Sequence, residues 1–226
     1  MKNSNIKIYV ENAELPRYES EGASGFDLRA KFTNNAPYLT LEFIENFIQY
    51  GITSDLNRLY NQMYGYEQFP VLDSIEFYHV IHRIINKSYN LKKEDGSFYV
   101  NLLEYMKHYN IPAVNIVLPY KSVIFPTDLY MEIPEEDELQ IRPRSGISSK
   151  TLLQVSLGTV DSDYRGNVGI IIQNPSPIGY AILPNERLAQ GVIVSKKHAV
   201  FIEMDSKDKL NKTERGEKGM GSTGTK

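Results

Sequence analysis

The sequence predicts a mainly β domain, a β-barrel or jelly roll, interrupted by an α-helical insertion. Two patterns carry this. Beyond Asn115, short apolar runs recur at 116–118, 123–125, 129–133, 139–143, 187–195 and 199–204, punctuated by Pro119, Pro126, Pro134, Pro143, Pro175, Pro177 and Pro184. From about Ala36 to Val114, apolar residues instead fall three and four apart, as in Leu39, Phe43 and Phe47, or Phe77, Ile81, Ile84 and Ile85. The first spacing suits strands and the second suits helical stripes. A β-sandwich is the alternative arrangement of the same strands.

Taken in order, Ile6 to Val10 reads as a short strand, followed by a loop through Pro16 to Gly22. In Ala23 to Ala30, Phe26 and Leu28 alternate with Asp27 and Arg29, as in a strand with one apolar and one polar face. Asp27 projects from the polar face, where a solvated carboxylate is the plain reading. The helical block reads as four helices. Asp73 with Glu76 forms a capping-box start for a helix through about Tyr89, Asp95-Gly96 marks a turn, and Phe98 to Tyr109 reads as the last helix before Pro112. Most of the tyrosines lie in this block, either as a contact surface for a protein partner or as a small core with phenols reaching solvent. His79 and His82 share a helix face, but no carboxylate pair stands near to complete a metal site.

Four stretches carry chemistry. Gly158 to Gly169, between the runs Leu152–Leu157 and Val168–Ile172, reads as a hairpin loop with three glycines, two carboxylates, a phenol and a guanidinium. Its glycines let backbone approach a flat polar ligand, and Asp161 or Asp163 has the chemistry of a base; a solvated turn is the plain alternative. The Asp-x-Asp pair lacks the spacing of a calcium loop. Arg142 to Lys150 places two guanidinium groups and hydroxyls at a strand end, suited to phosphate oxygens and equally to a basic surface loop. Asn185 to Gln190 sets an amide at the start of an apolar strand. Arg215 to Gly224 is rich in glycine, hydroxyls and cations, the composition of a disordered tail or of a segment that closes over a polyphosphate.

Composition narrows the classes. The chain has 226 residues, enough for a domain with an insertion, and a formal net charge of −3, which gives no reason to expect nucleic acid as a partner. The absence of cysteine excludes disulfides, thiolate nucleophiles and Cys-ligated zinc. Met1 to Ile8 is polar, and no run approaches the roughly eighteen apolar residues of a membrane span. The expected setting is the cytoplasm, or the host cytoplasm for a viral protein, with no membrane partner.

Five segments in this order resemble the five motifs of the homotrimeric dUTP diphosphatase (dUTPase) family: Ser24 to Ala30, Pro143 to Gly146, Gly158 to Gly166, Glu186 to Gln190 and Arg215 to Gly224. The likeness covers 1–35 and 115–226, with a tail from about 207, and leaves 36–114 unmatched. It implies a jelly-roll trimer with three shared active sites that hydrolyses dUTP to dUMP and pyrophosphate with Mg²⁺. On this resemblance Asp161 deprotonates the attacking water, and backbone at Gly158, Thr159, Val160 and Gly169 reads the uracil edge. Tyr164 packs on the deoxyribose. Arg144, Ser145 and Gly146 of a neighbouring subunit, with Gln190, hold phosphate oxygens, and Asp27 bonds a water on the magnesium. The tail of a third subunit brings Arg215, Met220, Gly221 and Ser222. Met220 stands where the family usually has a phenylalanine over the uracil, so a weaker closed state is expected. The alternative within the same fold is a dCTP deaminase, in which a glutamate is the expected base. The insertion is expected to brace the trimer or to bind a protein partner.

Overall fold

The computed structural model describes residues 4–50, 74–93 and 96–217. Strands outweigh helices, and every described strand pair is antiparallel. The strands are β1 (Lys7–Val10), β2 (Phe26–Arg29), β3 (Tyr38–Thr40), β4 (Tyr89–Lys93), β5 (Gly96–Val100), β6 (Ala113–Val117), β7 (Ser122–Pro126) and β8 (Leu129–Glu132). There follow β9 (Asp137–Pro143), β10 (Gln154–Val155), β11 (Gly158–Val160), β12 (Gly169–Gln173), β13 (Tyr180–Ile182) and β14 (Arg187–Ser195). The helices are α1 (Leu41–Tyr50), α2 (Ser74–Ile85), α3 (Leu102–His108) and α4 (Ser145–Lys150).

Two sheets frame the β core: β11-β9-β14-β2 and β10-β12-β7. The pairings join strands far apart in sequence, β2 with β14 and β1 with β8, which is the non-local pattern of a jelly roll. The alternation expected around Asp27 is present: Phe26 and Leu28 are buried, Asp27 and Arg29 are half-buried. Phe26 and Leu28 meet Leu139, Ile141, Val168, Ile170 and Leu188 in one core, each side chain worth about 1.5–3 kcal/mol of burial.

A second core lies between the helices and the sheet β13-β6-β3. Ile44 and Phe47 of α1, Phe77, Ile81 and Ile84 of α2, and Leu102 and Met106 of α3 pack with Val114, Ile116 and Ala181. Strand β3 pairs with β6, Thr40 opposite Ala113, and the Leu41 N–H donates to the Pro112 carbonyl at 2.9 Å. The chain therefore leaves and re-enters the β layer at neighbouring points, which keeps the entropic cost of the long insertion small. Asn115 fixes the approach: its Oδ1 accepts from Thr33 N–H at 3.0 Å and its Nδ2 donates to Thr33 O at 2.8 Å. Gly179 lets α2 lie close against the β domain, since a Cβ there would fall 2.6 Å from Val80 and 2.7 Å from Ile84.

Among the described residues, the block between 36 and 114 is less helical than its periodicity predicts. Three of the four expected helices lie among the described residues. Asp73 and Asp95 lie outside the described residues; α2 ends at Ile85, and Tyr89 opens a hairpin in which β4 and β5 pair, Tyr89 opposite Val100. Phe98 lies in β5 because α3 starts only after Asn101, whose Oδ1 accepts from Glu104 N–H at 2.9 Å while Glu104 caps the Asn101 N–H in return. Asn110, with φ of 52°, ends that helix.

Further along, three expectations need correction. Residues 145–150 form a short helix rather than a loop, which leaves only Gln154–Val155 of the Leu152–Leu157 run as strand. Tyr180–Ile182 is a strand whose shortness hides its periodicity. The expected strand at 199–204 has no pairing among the described residues, and Val200, Phe201 and Ile202 are 80–93% exposed; β-propensity without a partner strand forms no ladder. Residues from Lys197 onward form a unit of their own, with one 3₁₀ turn at Lys207–Lys209. No helix among the described residues is long and apolar enough to cross a membrane.

Candidate functional site

The Gly158–Gly169 stretch is not a simple hairpin. Strands β10 and β12 pair at Val155 with Ile172, and the Ser156 N–H donates to Ile171 O at 2.9 Å. The two strands then part: β11 pairs with β9, Gly158 opposite Ile141 and Val160 opposite Leu139, whereas β12 pairs with β7, Gly169 opposite Pro126. β11 is therefore an edge strand, and the facing sides of Gly158–Val160 and Gly169 have no strand partner among the described residues. Backbone N–H and C=O groups on these sides are available to a planar polar ligand.

The connecting loop is well tied down. The Asp161 carbonyl accepts from Tyr164 N–H at 3.1 Å, and Arg165 Nη1 donates to the carbonyls of Ser162 at 2.6 Å and Tyr164 at 2.9 Å. The Tyr164 hydroxyl donates to Asn167 O at 3.1 Å. Its ring crosses Gly166 so closely that a Cβ there would overlap the phenol, so the ring keeps this position only over glycine. The Asp161 side chain is exposed and has no hydrogen-bond or ion partner among the described residues.

At the other end of the sheet stands a charged group. Asp27 is paired with Gln190 across β2 and β14, and Gln190 with Arg142 across β14 and β9. The Asp27 carboxylate, 15% exposed, accepts from Arg144 Nε at 2.7 Å and from Arg187 Nη1 at 3.1 Å. Arg144 Nη1 also donates to Arg187 O at 2.9 Å, and Gln190 Nε2 donates to Pro143 O at 2.9 Å. Gln190 thus caps a backbone group through one of its two N–H donors. Ser145 and Gly146 follow in the first turn of α4, Gly146 with open space where a Cβ would lie. Glu186, just before β14, is pushed above the usual carboxylate range by burial, against the Leu183 N–H bond and the charge of Lys87.

Asp161 and Arg144 are not brought together. The register that sets Val160 opposite Leu139 sets Asp161 level with Glu138, whereas Arg144 lies beyond Pro143 at the far end of β9. From 138 to 144 is about 20 Å at the usual strand rise. A cavity of about 580 Å³ reaches Asp27, Arg29 and Arg17 but none of Asp161, Tyr164 and Arg144. Arg187, whose guanidinium shares Asp27, lies within the Glu186 to Gln190 segment, but only the fold brings it to its partner. Arg215 belongs to the separate C-terminal unit, and Met220, Gly221 and Ser222 lie outside the described residues.

No group of three or more His, Asp or Glu side chains that could hold a metal ion occurs among the described residues. Asp27 is a carboxylate already shared by two guanidinium groups, so it fits an acceptor for a metal-bound water and not a direct ligand.

Comparison with known proteins is specific. The dUTPase family model matches residues 110–224. A deoxyuridine 5'-triphosphate nucleotidohydrolase of Chlamydia abortus is 43% identical over 119 residues, covering 52% of this chain and 81% of the relative. One from Fusobacterium nucleatum is 46% identical over 107 residues, covering 46% of this chain and 70% of the relative. Among solved structures, a Staphylococcus bacteriophage 80alpha dUTPase with dUpNHpp superposes with a TM-score of 0.57 at 18% identity, covering 98% of this chain and 99% of that one. This last likeness bears on the fold alone.

Proposed function

The chain belongs to the dUTPase family, and from that premise we propose how it hydrolyses dUTP to dUMP and pyrophosphate. The observation that carries the reading is the parting of β11 and β12 around a loop that holds an unpaired carboxylate. The open backbone of Gly158, Thr159, Val160 and Gly169 pairs with the uracil edge, and the close approach leaves little room for a methyl on the ring. Tyr164, held by Asn167 and crossing Gly166, lies on the deoxyribose and leaves no space for a 2′-hydroxyl. Asp161, exposed and unpaired, takes a proton from water as that water attacks the α-phosphorus. The bond from the α-phosphorus to its bridging oxygen breaks, and pyrophosphate leaves. Base catalysis of this kind contributes about 10²–10⁴-fold.

The phosphates need a second chain. With about 20 Å of strand between Asp161 and Arg144, one subunit does not supply both to one nucleotide. We assign the phosphate-holding group Arg144, Ser145, Gly146 and Gln190 to a neighbouring subunit, and Arg215, Met220, Gly221 and Ser222 to a third, in a closed homotrimer. Mg²⁺ is the proposed ion: Asp27 would accept from a water that it carries, and the ion would supply charge neutralisation for the phosphates and the departing pyrophosphate. Arg187 and Arg144 keep Asp27 oriented for that task. A cytoplasmic setting, or host cytoplasm for a viral protein, fits the substrate.

The insertion shares its core with β6 and β13, which supports a bracing role. A protein-contact role is the second reading, favoured by the exposure of Tyr50 at 66% and Tyr99 at 74%. Deleting the block would strip the second core, so Tyr50→Ala with Tyr99→Ala is the cleaner probe of partner binding.

The test is pyrophosphate release from dUTP, dTTP, dCTP and UTP, repeated with Asp161→Asn, with ammonia release from dCTP measured alongside. Turnover of dUTP alone, lost in the variant, is expected. Ammonia from dCTP, or full activity of the variant, contradicts the reading.

A further inference from the structure

Asn167 is a half-buried amide that no step of the reaction uses, yet each of its polar side-chain atoms is engaged. Its Oδ1 accepts from the N–H groups of Thr127 and Asp128, both at 3.1 Å. Its Nδ2 donates to Asp128 Oδ1 at 3.1 Å and to the Tyr130 hydroxyl at 3.3 Å. An amide has two lone pairs and two N–H donors, so this one is saturated. Asp128 has φ of 57°, a left-handed conformation that only short polar residues and glycine tolerate well, and its side chain is fixed by the Asn167 amide. Around this pair the backbone is also closed. Thr127, 1% exposed, donates its hydroxyl to Val168 O at 2.8 Å, and Val168 N–H donates to Leu129 O at 2.9 Å.

From this bracket a short chain of bonds leads to the reacting end. The Asn167 carbonyl accepts from the Tyr164 hydroxyl, and the Tyr164 N–H donates to the Asp161 carbonyl. We propose that Asn167, clamped to the turn between β7 and β8, is a positioning residue that sets Tyr164 against the sugar and so determines discrimination between deoxyribose and ribose. The inference rests on the roles given above to Asp161 and Tyr164. Tyr164 is 47% exposed, so packing alone does not hold its ring and the hydrogen bond to Asn167 does.

The direct test reverses the polarity of the bracket. In Asn167→Asp, two carboxylates face each other at the Asp128 contact, and the loop shifts. In the double variant Asn167→Asp with Asp128→Asn, the new carboxylate still accepts from both N–H groups and now accepts from the asparagine amide, while asparagine also tolerates the left-handed backbone. Measured by kcat/KM for dUTP and UTP, the single variant is expected to lose about tenfold on dUTP. It is also expected to show a lower dUTP-to-UTP ratio, and the double variant to recover both to within about threefold. A residue that only stabilises the fold lowers both nucleotides alike, so an unchanged ratio in the single variant overturns the proposal, as does a double variant that stays impaired. If the single variant does not fold, Tyr130→Phe removes the contact with Asn167 Nδ2, together with the hydroxyl's bond to Glu11, without a charge change: a lowered ratio supports the bracket and an unchanged one overturns it. Asp161→Asn run in parallel keeps the two readings apart. Turnover retained there defeats the reading of the site, whereas turnover lost there with an unchanged ratio at position 167 defeats only the bracket.

Discussion

Asp161 and Arg144 stand at opposite ends of β9, one level with Glu138 across the β11 ladder and the other beyond Pro143. On the proposed assignment, the base and the phosphate-holding guanidinium of a single chain face different nucleotides. The same sheet brings Asp27, Arg144, Arg187 and Gln190 together within hydrogen-bonding reach of one another or of their backbones. On that proposal each chain offers two half-sites, and assembly joins unlike halves.

Gly166→Ala is expected to displace the Tyr164 ring, because the added Cβ overlaps the phenol. The ring swings outward at little cost to the fold, but its proposed contact with the sugar is lost. KM for dUTP should rise about tenfold, with a smaller preference over UTP. Steady-state kinetics with both nucleotides check this; an unchanged KM contradicts it.

Asn101→Ala removes the cap of α3 and with it the reciprocal bond from Glu104. The cost is about 1 kcal/mol, which for a chain of this size lowers Tm by about 2–4 °C. Since α3 packs into the second core, KM for dUTP should not move. Thermal denaturation and kinetics on the same preparation separate the two effects.

Glu186 confers a pH dependence on stability. Burial raises its carboxyl pKa in the folded state above that in the unfolded chain, so the native state holds the proton longer. Its contribution is fully present below the unfolded value and is lost as pH rises through the folded one. Glu186→Gln keeps an oxygen for the Leu183 N–H and removes the titration. The variant should gain stability relative to the native chain as pH rises from the ordinary glutamate range to neutrality, measured by chemical denaturation at several pH values. Parallel curves contradict this.

Much of the β domain was legible because burial on one face forces alternation, as at Phe26 to Arg29, and because prolines separate the strands. The site motifs were legible as residue types in order. Where the sequence misled, tertiary pairing overrode local pattern. Phe98 continues an apolar stripe but is drawn into β5, and the Val200 to Ile202 run has strand propensity with no strand to pair with. The parting of β10-β11 from β12 could not be read from the residues, since it depends on which distant strands, β9 and β7, each one joins. Arg187 and Asn167 were overlooked for a similar reason: their partners Asp27 and Asp128 are distant in sequence.

The sharing of the site between chains is tested most directly by complementation. Asp161→Asn and Arg144→Ala chains, each inactive alone, are co-expressed and the mixed assemblies purified. Sites that combine an intact Asp161 from one chain with an intact Arg144 from another should restore dUTP turnover to a substantial fraction of the native rate. A mixture no more active than its two components would show that each chain works with its own residues and that the proposed division is wrong.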